Sequence, residues 1–238
     1  MLKVDLRREG LEIRVVEAVG LETTSEICRR VGAFAALSGT AVNEVEKTIA
    51  PSTTRGKIFG KALSDTTPRA AFGVRGNKFW ADRLTLENQV LIPRNPTDYF
   101  DWAEADFILC AGPLLAYESR LDLQGGLEGI SEPLRLADGA PHRAWSALGF
   151  QKNLLFLMTV DSDQPGLSKG MTPEHVAGFL LSRCYAPYAL AIESGETVTL
   201  VADGRVLNFP SGKDAQGRWG EEKPVANALC LFISEDQP

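Results

Sequence analysis

The sequence predicts an α+β fold: a β-rich single domain of mixed sheets with a few flanking helices. Three observations carry this. Short apolar runs separated by Gly, Pro, Asn and Asp turn signals recur along nearly the whole chain. Only two segments carry helix start and stop signals, and strands and helices do not alternate regularly. No break in composition marks a second domain, so residues 1–238 are expected to form one unit.

The elements follow in order. Residues 2–6 and 11–17 alternate apolar and polar around Arg8-Glu9-Gly10, the pattern of an N-terminal hairpin. Thr23 and Glu26 have capping-box spacing for a short helix to Val31, which Gly32 stops. Ala33 to Leu37 is a small apolar strand ending at Ser38-Gly39. Residues 43–67 are polar and irregular and predict a mobile excursion. Strands are expected at 70–74, 78–84, 89–93 and 106–111, the first two joined by an Arg75-Gly76-Asn77-Lys78 turn. Residues 118–142 read as a long loop, and 145–149 with 154–160 as a hairpin.

The stretch from Gly166 to Val201 is the centre of the pattern. Thr172 is an N-cap and Pro173 opens a helix, with Val176, Phe179, Leu180 and Cys184 on one apolar stripe. Tyr185-Ala186-Pro187 ends it, because a residue before proline is pushed out of the α region. Ala189 to Ile192 then reads as a strand covered on both faces, leaving into Glu193-Ser194-Gly195-Glu196. Capped helix, small-residue strand and glycine turn occur in the same order at 23–39, which suggests an internal duplication. Residues 197–201 and 205–207 form a hairpin across Ala202-Asp203-Gly204, a loop follows over 208–223, and 225–233 closes the chain.

Composition limits the function. The chain has 238 residues, 44% hydrophobic and 24% charged, which is enough to bury a sizeable core. A net charge of −6 and a pI near 5.1 argue against a nucleic-acid partner, which needs a basic footprint. No apolar run approaches the ~20 residues of a membrane span. MLKVDLRREG lacks the apolar core of a signal peptide, leaving a cytoplasmic chain or one without its leader. Cys28, Cys110, Cys184 and Cys230 lie far apart in apolar segments and read as buried free thiols. With only His142 and His175, a histidine-rich metal centre is excluded, and no cofactor or metal is implied. His142, in a Pro-His-Arg loop, is the better candidate for chemistry; the plainer reading is a loop histidine.

Five segments then share one resemblance. Val160-Asp161-Ser162-Asp163-Gln164-Pro165-Gly166-Leu167-Ser168-Lys169-Gly170-Met171-Thr172 resembles the Val-Asp-Gly-Arg-Gln-x-Gly-x-Ser-x-Gly-Met-Thr segment of the phosphodiester glycosidase family. Ala36-Leu37-Ser38-Gly39 is similar to its Ile-Asn-Gly-Gly, Gly112-Pro113-Leu114-Leu115 to its Gly-Pro-x-Leu, and residues 206–211 to its Val-Asn-x-Pro-Ser. Residues 223–229 are similar to its terminal Arg-x-Val-x-Asn-Ala-Leu. The likeness spans about residues 10–233.

The resemblance implies hydrolysis of a glycosidic or sugar-1-phosphodiester bond and a carbohydrate or sugar-phosphate ligand. On it, Asp161 and Glu193 are the candidate catalytic carboxylates. Ser38, Gly39, His142, Arg143, Asn208, Ser211 and Lys223 are the candidate substrate contacts. Such chemistry needs donors for the anion and a carboxylate or activated water at the anomeric carbon. The polar positions have changed, however. Ser38 stands where the family has Asn, Trp145 where it has Arg, and Ser162-Asp163 where it has Gly-Arg. Glu193-Ser194-Gly195-Glu196 replaces Asp-Gly-Gly-Gly, and Lys223 replaces a late Arg. Lysine keeps the charge but not the two-pronged grip on phosphate. A relative that binds a glycan or partner without turnover, or a purely structural domain, are the alternatives. Convergence of Ser38, Arg143, Asp161, Glu193, Asn208 and Lys223 on one cleft is the geometric expectation.

Overall fold

A computed structural model of the chain describes residues 1–40, 52–54, 57–59, 67–76, 78–88 and 90–234. The chain begins β1 (Leu2–Asp5), β2 (Leu11–Glu22), α1 (Thr24–Val31), β3 (Ala35–Ser38), β4 (Ser52–Thr54), β5 (Lys57–Phe59) and β6 (Arg69–Arg75). It continues with β7 (Lys78–Glu87), β8 (Val90–Pro93), β9 (Phe107–Ala111), β10 (Leu114–Tyr117), β11 (Arg120–Leu121), β12 (Trp145–Gln151) and β13 (Leu154–Val160). It ends with α2 (Pro173–Arg183), β14 (Tyr188–Ser194), β15 (Leu200–Ala202), β16 (Arg205–Val206), β17 (Gly212–Lys213), β18 (Trp219–Glu221) and β19 (Val225–Ile233).

These strands form three large sheets and one ribbon. The first sheet runs β1-β13-β12-β14-β10-β11, the second β16-β15-β3-β19-β2 and the third β5-β4-β9-β6-β7-β8; β17 and β18 make the ribbon. The inner faces meet in one shared core. Ile13, Leu37 and Leu200 come to it from the second sheet, Phe72 and Phe107 from the third, and Leu148 and Leu190 from the first. Phe72 is the junction, its ring centroid 6.1 Å from Phe107 and 5.5 Å from Phe150.

Each helix seals the outer face of one sheet. Val176, Ala177 and Leu180 of α2 pack on Ala147, Met158, Ala189 and Ala191 of the first sheet. Alternation along β14 divides its side chains, with Leu190 and Ile192 in the shared core and Ala189 and Ala191 under the helix. Gly149 makes room there, since a Cβ would sit 3.0 Å from that of Ala186. On the second sheet, Ile27 and Cys28 of α1 pack on Ala36, Val201 and Ala228. Both predicted caps are present. Thr23 Oγ1 accepts from Glu26 N–H while Glu26 Oε2 accepts from Thr23 N–H, and Thr172 Oγ1 accepts from His175 N–H.

Several expectations are corrected. The N-terminal strands do not pair with each other: β1 joins β13, and β2 joins β19. Alternation identifies a strand but not its neighbour. Nor are the sheets mixed, because every strand pair among the described residues is antiparallel. The crossovers β2-α1-β3 and β13-α2-β14 do join strands that run the same way. In each case an antiparallel strand, β19 or β12, fills the gap between them. The two helix–strand units therefore share one topology.

The excursion expected over 43–67 lies mostly outside the described residues. Its described parts are not irregular: β4 pairs with β5 and with β9. Of the strand expected at 89–93, Gln89 lies outside the described residues, as does Asn77 of the turn before it. The long loop 118–142 contains β11 and two 3-10 turns, and 208–223 contains the β17–β18 ribbon. The Asp203-Gly204 turn is as expected, with φ of 49° and 68°.

Candidate functional site

The topology that splits β13 from β14 also places the two candidate carboxylates. Both strands run the same way on either side of β12, so their C-terminal ends leave the same end of the first sheet. Trp145, the first residue of β12, pairs with Val160 on one side and Ser194 on the other. Asp161 follows Val160 directly, and Glu193 pairs with Ser146. Two strand spacings across and two residues along put the backbones of Asp161 and Glu193 about 12 Å apart.

Their surroundings differ. Both Asp161 oxygens are engaged: Oδ1 accepts from Asn208 Nδ2 at 2.9 Å and Oδ2 from Phe209 N–H at 3.0 Å. Asn208 spends its other groups on the chain, accepting from Leu200 N–H at 2.8 Å and donating to the Val198 carbonyl at 3.0 Å. Next to them, Ser211 Oγ accepts from Ser162 N–H and donates to the Ser162 carbonyl. Asp161, Asn208 and Ser211 thus form one cluster, which fastens the loop after β16 to the end of β13.

Glu193, whose Oε1 accepts from Ser194 N–H at 2.8 Å, lines a cavity of about 200 Å³, together with Thr40, Arg69, Pro113, Glu132 and Trp145. The walls come from all three sheets. Arg143, whose backbone pairs with Met171, donates from Nη2 to Glu132 Oε1 at 2.5 Å and so sits at the rim. Ser38 is fully buried behind this region, where it joins two sheets. Its Oγ accepts from Thr199 N–H and its carbonyl accepts from Ser146 Oγ, one pairing away from Glu193. Gly39 has no room for a side chain, since a Cβ would stand 1.8 Å from Asn227 Oδ1. Asn227 holds the following residue, accepting from Thr40 N–H and donating to Thr40 Oγ1.

The remaining candidates lie elsewhere. Lys223 donates to the Lys213 carbonyl at 2.7 Å and pairs with Glu221 at 3.4 Å, contacts that belong to the β17–β18 ribbon. His142 and His175 face each other with ring centroids 5.8 Å apart, and neither lines the cavity. Among the described residues no group of three or more His, Cys, Asp and Glu is arranged to hold a metal. All four cysteines are buried and free. A larger cavity of about 400 Å³ lies at the other end of β6 and β9, walled by Leu11, Val74 and Phe107, and contains none of the candidates.

Beneath the smaller cavity is a buried ion-pair network that sequence reasoning missed. Arg83 donates from Nε to Glu128 at 2.9 Å and grips Asp122 with both terminal nitrogens, at 2.8 and 2.9 Å. Glu128 also accepts from Ala70 N–H at 3.1 Å and Leu114 N–H at 3.0 Å. Burial is the largest influence on its pKa and raises it, making the carboxyl a weaker acid; the two N–H groups and Arg83 pull the other way. Glu128 therefore ties the start of β6, which carries Arg69, to the Gly112-Pro113 segment in the cavity wall. Gly112 is required beside it, with φ 135° and a would-be Cβ 2.4 Å from Glu128 Oε2. Arg69, Thr40, Glu128 and Arg83 left no local pattern to read. Arg83 and Glu128 are 45 positions apart and meet only in the folded chain.

No family model matches the sequence, and no curated protein matches it. Solved structures do. The catalytic domain of zebrafish N-acetylglucosamine-1-phosphodiester alpha-N-acetylglucosaminidase, in a form auto-inhibited by its pro-peptide, matches with a TM-score of 0.70 and 17% identity; the match covers 93% of this chain and 73% of that one. A protein from Burkholderia pseudomallei matches at 0.68 and 16% identity, over 97% and 72%. A Synechocystis protein matches at 0.60 and 14% identity, over 98% of this chain and 58% of its own. At these identities the likeness establishes a shared fold. No described helix is long and apolar enough to cross a membrane.

Proposed function

We propose that the chain is a divergent hydrolase of the phosphodiester glycosidase type, a single domain acting on a glycosidic or sugar-1-phosphodiester bond of a carbohydrate ligand. The observation that carries this reading is Glu193. It is a carboxylate at the end of a buried strand, in a cavity walled by three sheets and lined by Arg69 and Thr40. The zebrafish structure with the same fold is named for hydrolysis of a sugar phosphodiester. In this reading Glu193 is the catalytic group, Arg143 approaches substrate from the rim, and Asp161 is a positioning residue that holds Asn208 and Phe209.

The occupied oxygens of Asp161 favour a second reading. A retaining or inverting mechanism asks for two carboxylates free to exchange protons or attack carbon. With one of the pair committed to a loop, a relative that binds a glycan without turnover fits the geometry too.

A panel of p-nitrophenyl glycosides and sugar-1-phosphodiesters, run with wild type, Glu193→Gln and Asp161→Asn, tests the two. The hydrolase reading expects turnover that Glu193→Gln reduces about 100-fold or more. An inert wild type whose melting temperature rises with sugars leaves the binding reading in place. Turnover indifferent to Glu193→Gln removes Glu193 from the chemistry.

A further inference from the structure

We infer that Arg69 is the anion-holding group of this cavity, taking a carboxylate or phosphate of the ligand. This rests on the reading of the cavity as the ligand site. Its first support is that the other candidate cations are committed. Arg143 is paired with Glu132, Lys223 with Lys213 and Glu221, and Arg83 is consumed by Glu128 and Asp122. Arg69 is half-buried in the cavity wall. Among the described residues its guanidinium makes one hydrogen bond, from Nη1 to the Glu128 carbonyl at 3.3 Å, and no ion pair. A guanidinium has five N–H donors in a fixed fork, a shape that matches carboxylate or phosphate.

The second support is placement. Arg69 opens β6, and the next residue, Ala70, gives its N–H to Glu128. Arg69 thus stands on the rigid network under the cavity and not on a mobile loop. Pro113, Ile130, Leu134 and Trp145 supply apolar wall around it, which strengthens a charge-assisted hydrogen bond. The other charged groups of the lining are acidic: Glu193 and Glu132. The cavity is therefore bipolar. An anion belongs at Arg69, and an uncharged hydroxyl or glycosidic oxygen belongs near Glu193.

Calorimetric titration with inorganic phosphate, D-glucuronate and D-glucose tests this on wild type, Arg69→Gln, Arg69→Lys and Glu193→Gln. The expected result is binding of at least one anion, with glucose about tenfold weaker or worse. Arg69→Gln then loses about 10- to 100-fold in anion affinity, and Arg69→Lys falls between. Glu193→Gln, which removes a negative charge from the same lining, binds the anion several-fold more tightly, about two- to tenfold. Phosphate alone identifies a phosphate ester as the source, glucuronate alone a uronic acid, and both a general anion site. Binding of neither anion by wild type overturns the inference, as does Arg69→Gln binding like wild type. If Arg69→Gln does not fold, Glu193→Gln decides, and unchanged anion affinity there is fatal. Anion binding without turnover removes the hydrolase reading and leaves the anion site standing. Turnover of a sugar-1-phosphodiester left untouched by Arg69→Gln does the reverse.

Discussion

Asp161, a candidate catalytic carboxylate on the sequence, also fastens a loop in the fold. Its carboxylate accepts from Asn208 and from Phe209 N–H, so an amide at this position would turn an NH₂ group toward a donor. Asp161→Asn is expected to cost about 1–3 kcal/mol of stability, read as a lower urea midpoint. If Asp161 instead served chemistry alone, activity would fall while the midpoint stayed put. Glu128 makes the stronger case. Removing its charge leaves Arg83 buried with only Asp122 opposite, so Glu128→Gln is expected to destabilise by about 3–5 kcal/mol. The same variant should loosen the start of β6 and weaken anion binding by Arg69. An unchanged unfolding midpoint would show that the network contributes little.

At the scale of elements, the two helices were legible because their signals are local. A capping residue, a glycine or proline stop and an apolar stripe all fall within one dozen residues. The caps allow a comparison. Thr23 takes part in a reciprocal pair of bonds with Glu26, whereas Thr172 makes one bond, helped by Pro173. Thr23→Ala and Thr172→Ala should each cost about 1 kcal/mol, and Glu26→Ala should add a smaller loss only in the first helix. Thermal midpoints of the three variants check this. Strands were legible too, but their partners were not. Residues 2–5 alternate in the same way whether they pair with residues 11–17 or, as found, with β13. The split crossovers escaped notice for a related reason. β19, which fills the gap between β2 and β3, arrives almost 200 positions later.

For the whole molecule, burial of the thiols sets a pH response. Desolvation pushes Cys110 up to about 12 and Cys230 up as well. The unfolded chain releases these protons near the ordinary thiol value of ~8.5, while the native chain keeps them. Stability should therefore be unaffected by them at neutral pH and fall as pH climbs from about 9 toward 12, at ~1.4 kcal/mol per pH unit for each fully shifted thiol. Urea titrations from pH 8 to 11 check this, with Cys110→Ala showing a shallower decline than wild type. A thiol reagent at pH 8 should find all four cysteines unreactive until the protein unfolds.

Taken by itself, the sequence determined the local elements, the apolar faces that β14 and α2 bury, the caps, the free thiols and the presence of two acidic strand ends. Each depends on residues within a few positions of one another, and short-range sterics and periodicity act on them whatever the rest of the chain does. Only the tertiary structure decided that Asp161 and Glu193 share one end of a sheet, that Asp161 is bound to a loop, and that Arg69 stands beside Glu128 in the wall of the Glu193 cavity. Those facts are set by which sheet edge meets which. That choice comes from the summed packing of Phe72, Leu148, Leu190 and their neighbours in the common core, a long-range quantity that no local pattern encodes.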